Sequence, residues 1–452
     1  MKNSIVLIAI LITTLSCVTE EKIEDVVVIG GGLMGSSTAW ELSKNGQNVL
    51  LIEQQDSIYT YGSSFGEARI SRSLGPKDDI FSYLQQTSVS ETSNLIDYLN
   101  EGKKETLHSM EDIYTTSPVT YIFSKFQLSD AEALLNGPKD NYKYASNKAE
   151  AEQLFGMNIP DTSLVIREFK EYSGTLNPKV LIKKLHLGIR KSGNRVNYNQ
   201  KVTDLRKENG IYKITVVDVK SGENQTILSK KVVAAAGPYN GTLVKDVAPY
   251  FSSLISPKRL FLSFLKIKSD TYDLMTNEQR DRLNSSYPVA YLNSEIFYSM
   301  IEKYDENNRP LLKVGGHFLR TEIEDLDAVW EKELAAEEIL WSKKNTADYL
   351  NKLNITVALS DLEYARGYSC VYSLTESETP IVSHAIVKNK EVDSSFVLIG
   401  GMSGIGAKGA LAYGLIAADL VSGNENKSLI YQKAKSALGS KRLIENIQKI
   451  NK

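Results

Sequence analysis

The chain of 452 residues has little cysteine, histidine or proline, and almost no net charge. Two cysteines, Cys17 and Cys370, cannot build a disulfide framework. With Cys17 modified, Cys370 has no partner within the chain, and on its own it is either an inert core thiol or a functional one. The 53 basic and 55 acidic side chains leave a formal charge of −2. That balance supplies no basic field, so no nucleic-acid partner is expected. Eleven prolines and no low-complexity tract leave little room for long disorder. No metal site is expected. The apolar run at residues 5–15 is too short to span a bilayer. What remains is an ordinary globular composition, 42% hydrophobic and 24% charged, in a chain long enough for two or three domains.

The strongest pattern is Val26-Val27-Val28-Ile29-Gly30-Gly31-Gly32-Leu33-Met34-Gly35. Four β-branched residues read as a buried parallel strand. Gly30, Gly32 and Gly35 form G-x-G-x-x-G. A helix is predicted over 36–44, stopped by Gly46, and a second strand over 49–52, ending in Glu53. In such a βαβ unit Gly30 allows the tight turn. Gly32 lets the backbone approach a pyrophosphate, and Gly35 lets helix pack on strand. A carboxylate at Glu53 suits ribose hydroxyls and repels the 2′-phosphate of NADP. At this point FAD and NAD both remain open.

Further along, small residues crowd together at Gly62-Ser63-Ser64 and Gly66, and Arg69 and Arg72 follow three apart. If that stretch begins a helix, both arginines share a face. Such a segment suits a loop around a flavin and an anion, or else a solvated turn. An amphipathic helix is predicted over 179–191 and strands over 196–198, 202–206, 212–217 and 225–228. A strand over 231–235 runs into Ala236-Gly237-Pro238. Strands are also predicted over 260–264, 296–301 and 311–315. The charged run 321–344 reads as a solvated helix. A buried strand over 396–399 ends in Gly400-Gly401. Met402 to Gly409 is glycine-rich and feeds a small-residue helix over 410–420. A basic amphipathic helix is predicted over 429–452. Three glycine-rich strand ends, far apart in sequence, argue for one large cofactor across one sheet, which favours FAD.

Four blocks then resemble the D-amino-acid oxidase superfamily. They are most similar to its monomeric sarcosine oxidase branch, which includes N-methyltryptophan, pipecolate and fructosyl-amine oxidases. The first is the βαβ with Glu53. The second is Gly62-Ser63 through Arg69-Ile70-Ser71-Arg72. The third is Leu312-Lys313-Val314-Gly315-Gly316-His317. The fourth is Cys370-Val371-Tyr372-Ser373-Leu374-Thr375 with Gly401 to Lys408. The family loop carries histidines where this chain has Ser64 and Phe65.

The resemblance implies roles. Cys370 would link to the flavin 8α-methyl as a thioether. Lys313 would lie over the flavin face opposite the substrate and activate oxygen, since a fixed ammonium in a dry site stabilises developing negative charge. Arg69 would support the reduced flavin. His317 and Tyr372 would line the substrate side. Arg72 and Lys408 would grip a substrate carboxylate, with Tyr298 nearby. Cofactor contacts would come from Gly30, Gly32, Gly35, Glu53, Ser63, Arg69, Val202, Gly237, Cys370, Gly404, Gly406 and Lys408.

The expected fold is α/β: a Rossmann-like FAD-binding domain with an inserted mixed-sheet substrate domain. Residues 25–90, 165–250 and 361–425 would form the first, 91–164 and 251–360 the second, and 426–452 a C-terminal helix. The expected reaction oxidises the C–N bond of a secondary or N-substituted amino acid. The imine then hydrolyses and O2 becomes H2O2. A flavin dehydrogenase serving a quinone or another carrier is the first alternative. A non-enzymatic binding lipoprotein is the second. A monomer is expected.

Residues 1–24 read as a signal and tether. Lys2, the apolar run and Leu15-Ser16-Cys17 resemble a bacterial lipoprotein signal, with Thr14 where an aliphatic residue is usual. An ordinary secretory signal or an uncleaved interfacial anchor stays open. The lipoprotein reading places the protein at the cell envelope, held by a lipid on Cys17. With no twin-arginine pair, flavin would be loaded after export.

Overall fold

The computed structural model describes residues 22–57, 59–75, 79–124, 127–137, 139–387 and 391–439. Cys17, the rest of the expected signal and the second half of the predicted C-terminal helix, residues 440–452, lie outside them. No helix among the described residues is long and apolar enough to cross a membrane.

The first sheet is built on the strand Ile23–Ile29, whose Val26 to Ile29 are at most 4% exposed. It runs parallel to Val49–Ile52 on one side and to Asn224–Ala234 on the other. Val392–Gly400 and Arg195–Asn197 extend the parallel set at its two ends. Both faces of these central strands are covered, so their residues read as unbroken apolar runs rather than alternating ones. Helices Leu33–Lys44, Pro178–Lys191 and Ala410–Ser422 cover one face, burying Val28, Val49, Leu51, Trp40, Leu185 and Ile416 together. The helix Pro178–Lys191 begins where Asn177 accepts from the Val180 N–H and Pro178 fills the first position. Antiparallel strands Gln200–Glu208, Ile211–Asp218 and Ile381–Ile386 complete the sheet.

The second sheet has nine strands. Near one edge its long strand Ser256–Ile267 pairs antiparallel with Leu362–Leu374 on one side and Pro310–Gly316 on the other. Pro310–Gly316 is buried along its whole length. Helix Ala336–Lys352 lays Trp341, Tyr349 and Leu350 against it, beside Phe261 and Val314. A small sheet of Arg69–Ser71, Gly174–Leu176 and Tyr114–Thr116 makes a third unit.

Several expectations are corrected. Leu362–Leu374, placed with the first sheet, belongs to the second, because its partner is Ser256–Ile267. Ile80–Asn100 is one helix, so no boundary falls at residue 90. Arg69–Ser71 is a strand rather than a helical start, so the spacing of the arginines does not place them on a helix face. The charged run is helical only from Ala336; before it come a two-residue strand, Thr321–Glu322, and a single 3-10 turn, Ala328–Glu331.

Candidate active site

Three adjacent parallel strands, Val392–Gly400, Asn224–Ala234 and Ile23–Ile29, end at one side of the first sheet. A crevice of about 530 Å³ opens there and continues beneath the second sheet. Ligands of open α/β sheets settle outside the carboxyl ends of the strands. Gly30, Gly237 and Gly401 follow those ends, and all three line the crevice.

The glycines are required by contact. Gly30 has φ +101°, and a Cβ on it would stand 2.5 Å from the Ala235 carbonyl oxygen. A Cβ on Gly35 would fall 1.8 Å from the Gly30 carbonyl oxygen, so this glycine lets helix Leu33–Lys44 touch its strand without itself lining the crevice. Gly32 precedes the helix and provides no side-chain cap, which leaves N–H groups facing the crevice. Ser64 Oγ accepts from one of them, the Leu33 N–H, at 3.1 Å.

Glu53 accepts from Gly31 N at 2.6 Å and from Gln55 N at 2.8 Å. Burial pushes its carboxyl up against the pull of those two N–H groups. Tyr59, which the sequence did not single out, donates to the Gly31 carbonyl. Behind this turn, Ser36 Oγ donates to the same carbonyl at 2.6 Å. Ser36 has one proton, so Nε2 of His186 donates to Ser36 and Nδ1 accepts from Tyr198. Burial drives His186 down to about 4, as a neutral structural imidazole requires. Val202 also lines this end.

The middle of the crevice joins the two sheets. Ser63 Oγ donates to the Val371 carbonyl at 2.9 Å, tying the glycine loop to the strand of Cys370. Arg69 spends its guanidinium on that loop, donating to the carbonyls of Ala68, Ser63 and Phe65. Cys370 is 6% exposed and lines the crevice. Burial pushes its thiol up, and the cations of Arg69 and Lys313 oppose that. Lys313, 1% exposed, donates to Glu302 Oε2 at 2.9 Å and to the Ala68 carbonyl at 3.0 Å. Burial, and then Arg69, lower Lys313 to about 7. Burial would raise Glu302, but Lys313 holds it below the usual carboxylate range.

The far end carries aromatics and two cations. Tyr298 and Tyr372 hydroxyls are 3.2 Å apart. His317 meets Tyr372 edge-on, with ring centres 6.3 Å apart. Burial, helped by Arg320, drives His317 down to about 4, so it is neutral at pH 7. Gly404 has φ +80° and packs against Tyr372, where a Cβ would come within 2.4 Å of the ring. Gly406 lies beside Met402 and lines the crevice as well.

Arg72 sits over the Tyr121 ring at 5.5 Å and Lys408 over Phe81 at 6.0 Å. Both line the crevice. Burial, and then Arg72, push Lys408 well below the usual ammonium range. Among the described residues neither cation makes an ion pair with a carboxylate. Glu168 is fully buried here, and its charge, with that of Asp79, favours the Lys408 ammonium against burial and Arg72. Glu168 accepts from Ser73 N at 2.7 Å, Leu74 N at 3.1 Å and Tyr121 OH at 3.0 Å. Glu168, Tyr121 and Glu302 were not singled out in the sequence. For Glu302 the one available signal was a lone acid within the strand Phe297–Tyr304.

Relatives run along nearly the whole chain. Residues 25–420 match the family described as FAD dependent oxidoreductase (DAO). A "Probable sarcosine oxidase" of Arabidopsis thaliana is 24% identical over 406 residues, spanning 88% of this chain and 87% of that protein. NikD, described as an unusual amino acid oxidase essential for nikkomycin biosynthesis, superimposes with a TM-score of 0.67 at 17% identity, over 92% of this chain and 97% of NikD. L-proline dehydrogenase from P. horikoshii gives 0.66 at 16% identity, over 92% and 98%. The two structures share the fold, and the family match covers both sheets: the chain belongs to the FAD dependent oxidoreductase family.

Proposed function

We propose that the protein oxidises the C–N bond of a secondary or N-substituted amino acid. One observation carries this reading: Arg72 and Lys408 face the crevice together without a carboxylate partner among the described residues. An arginine and an amine held together in a buried site, the amine pushed well below the usual ammonium range, call for an anion that restores its charge. A substrate carboxylate there places the amine and its carbon beside Tyr298, Tyr372 and His317. A neutral His317 can hydrogen-bond the amine without repelling it, and it does not protonate the amine.

The crevice fits FAD. Gly30, Gly237 and Gly401 clear its floor at three strand ends, Glu53 stands at the end of the second strand, and the length reaches from Val202 to Lys408. Bound FAD supplies the hydride-accepting ring and returns electrons to an acceptor. Cys370 is the proposed point of covalent attachment, and Lys313 the proposed cation for oxygen. O2 takes up two electrons and two protons to become H2O2, and the imine product hydrolyses. The shared fold of L-proline dehydrogenase favours a second reading, in which electrons go to a quinone or another carrier. We also propose attachment to the cell envelope through Cys17, which fractionation of wild type against Cys17→Ser tests.

The function is tested by acid precipitation of the full chain, then peroxide assays over N-methyl and cyclic amino acids. Colour in the pellet, lost from it in Cys370→Ser, supports the covalent site. Colour in the supernatant removes Cys370 from the account but keeps FAD. A chain that takes up no FAD refutes the enzymatic reading. Arg72→Met and Lys408→Met should each raise KM roughly 30-fold or more.

A further inference from the structure

Glu302 stands where a regular ladder would not put it. Met300 pairs with Lys313 and Ile301 with Leu312, and then the register slips and Lys303 pairs with Leu311. Glu302 is the inserted residue of a β-bulge, a feature that re-aims a side chain. One carboxylate oxygen lies 2.9 Å from Lys313 Nζ, with both side chains 1% exposed. The other accepts from the Glu67 N–H at 2.8 Å, while Lys313 donates to the Ala68 carbonyl at 3.0 Å. The ion pair and two successive residues of the glycine loop thus close a ring. Gly66 makes room for it: at φ +112°, a Cβ would stand 2.9 Å from Lys313 Nζ and 3.0 Å from an Arg69 nitrogen.

We propose that Glu302 is a positioning residue, which keeps Lys313 charged and fixed beside Arg69 so that an ammonium is present where O2 is reduced. The proposal rests on reading the crevice as an FAD site that reacts with oxygen. The groups facing Lys313 are Arg69 from the loop, Cys370 from Leu362–Leu374 and Glu302 from the neighbouring strand. Tyr368 and Tyr298 reach Arg69 from the same two strands. Arg69 disfavours the ammonium. Burial keeps the Cys370 thiol neutral. That leaves Glu302 as the member of this set that favours the charged amine. Without it, a buried amine beside an arginine gives up its proton more readily.

The test uses the FAD-loaded full chain as wild type, Glu302→Gln, Glu302→Asp and Lys313→Met. Two quantities are followed from pH 6 upward: the midpoint potential of the bound flavin, and the rate at which O2 reoxidises it. Wild type should show a break in both curves as Lys313 loses its proton, and Lys313→Met should lack it. In Glu302→Gln the break should move to lower pH by about 1–3 units. Reoxidation at neutral pH should then fall towards the Lys313→Met rate. If Glu302→Gln does not accumulate, Glu302→Asp, which keeps the charge but retracts it, should show a smaller acid shift. A break unmoved in the Glu302 variants, or present in Lys313→Met, overturns the proposal while leaving the FAD site standing. A chain that binds no FAD overturns the site and the proposal together.

Discussion

Lys313 and Glu302 show how a single charge is kept in a dry crevice. Taking two ions out of water costs several kcal/mol each, and their attraction offsets this only while both remain. Lys313→Met therefore strands a buried carboxylate and should lower stability by about 3–5 kcal/mol in denaturant titration. Adding Glu302→Gln to it should recover most of that loss; a double variant no more stable than Lys313→Met would contradict the pairing. Lys408 predicts the opposite. It opposes Arg72 and has no ion-pair partner among the described residues, so Lys408→Met should lower affinity for substrate without lowering the melting temperature. That Lys313, Arg72, Lys408 and Cys370 meet at one crevice was legible in the sequence because each lies in a short motif. Glu302 was not, because a register slip between two strands aims it, and no local pattern encodes that slip.

At the scale of elements, the turn between Ile23–Ile29 and Leu33–Lys44 depends on Gly35. Alanine there drives a Cβ into the Gly30 carbonyl oxygen. Gly35→Ala should cost about 1–3 kcal/mol and weaken FAD uptake, both read from thermal melts with and without added FAD. The same helix buries Glu41, 0% exposed, with Lys44 2.6 Å away. Burial raises Glu41 to about 7, against Lys44. The native state then holds a proton that the unfolded chain releases from about pH 4.5. Stability from this group is therefore present below pH 4.5 and lost as pH rises through 7. Glu41→Gln should be more stable than wild type at pH 8, by up to roughly 3 kcal/mol, with little difference at pH 4.5. Equal stability at pH 8 would show that the Lys44 pair fully offsets burial. The strands of the parallel sheet were legible because burial on both faces writes itself as runs of valine, isoleucine and leucine. Arg69–Ser71 was not, since a three-residue strand has no periodicity to read.

Across the whole molecule, the crevice lies between two sheets whose strands alternate along the chain. Leu362–Leu374 brings Cys370 and Tyr372 to the crevice from the second sheet, and the chain then returns to the first at Ile381–Ile386. Three glycine-rich strand ends on one sheet were legible from spacing alone. The assignment of residues 361–374 was not, because membership of a sheet depends on a partner strand about a hundred residues away. The central claim is that this crevice holds FAD and an amino acid whose C–N bond is oxidised. The most direct measurement is anaerobic addition of N-methyl and cyclic amino acids to the yellow full chain, with Arg72→Met alongside. The account predicts that at least one of them bleaches the flavin in wild type, that air restores the colour, and that Arg72→Met needs far more substrate. A flavin left yellow by all of these compounds, or bleached as readily in Arg72→Met as in wild type, would contradict it.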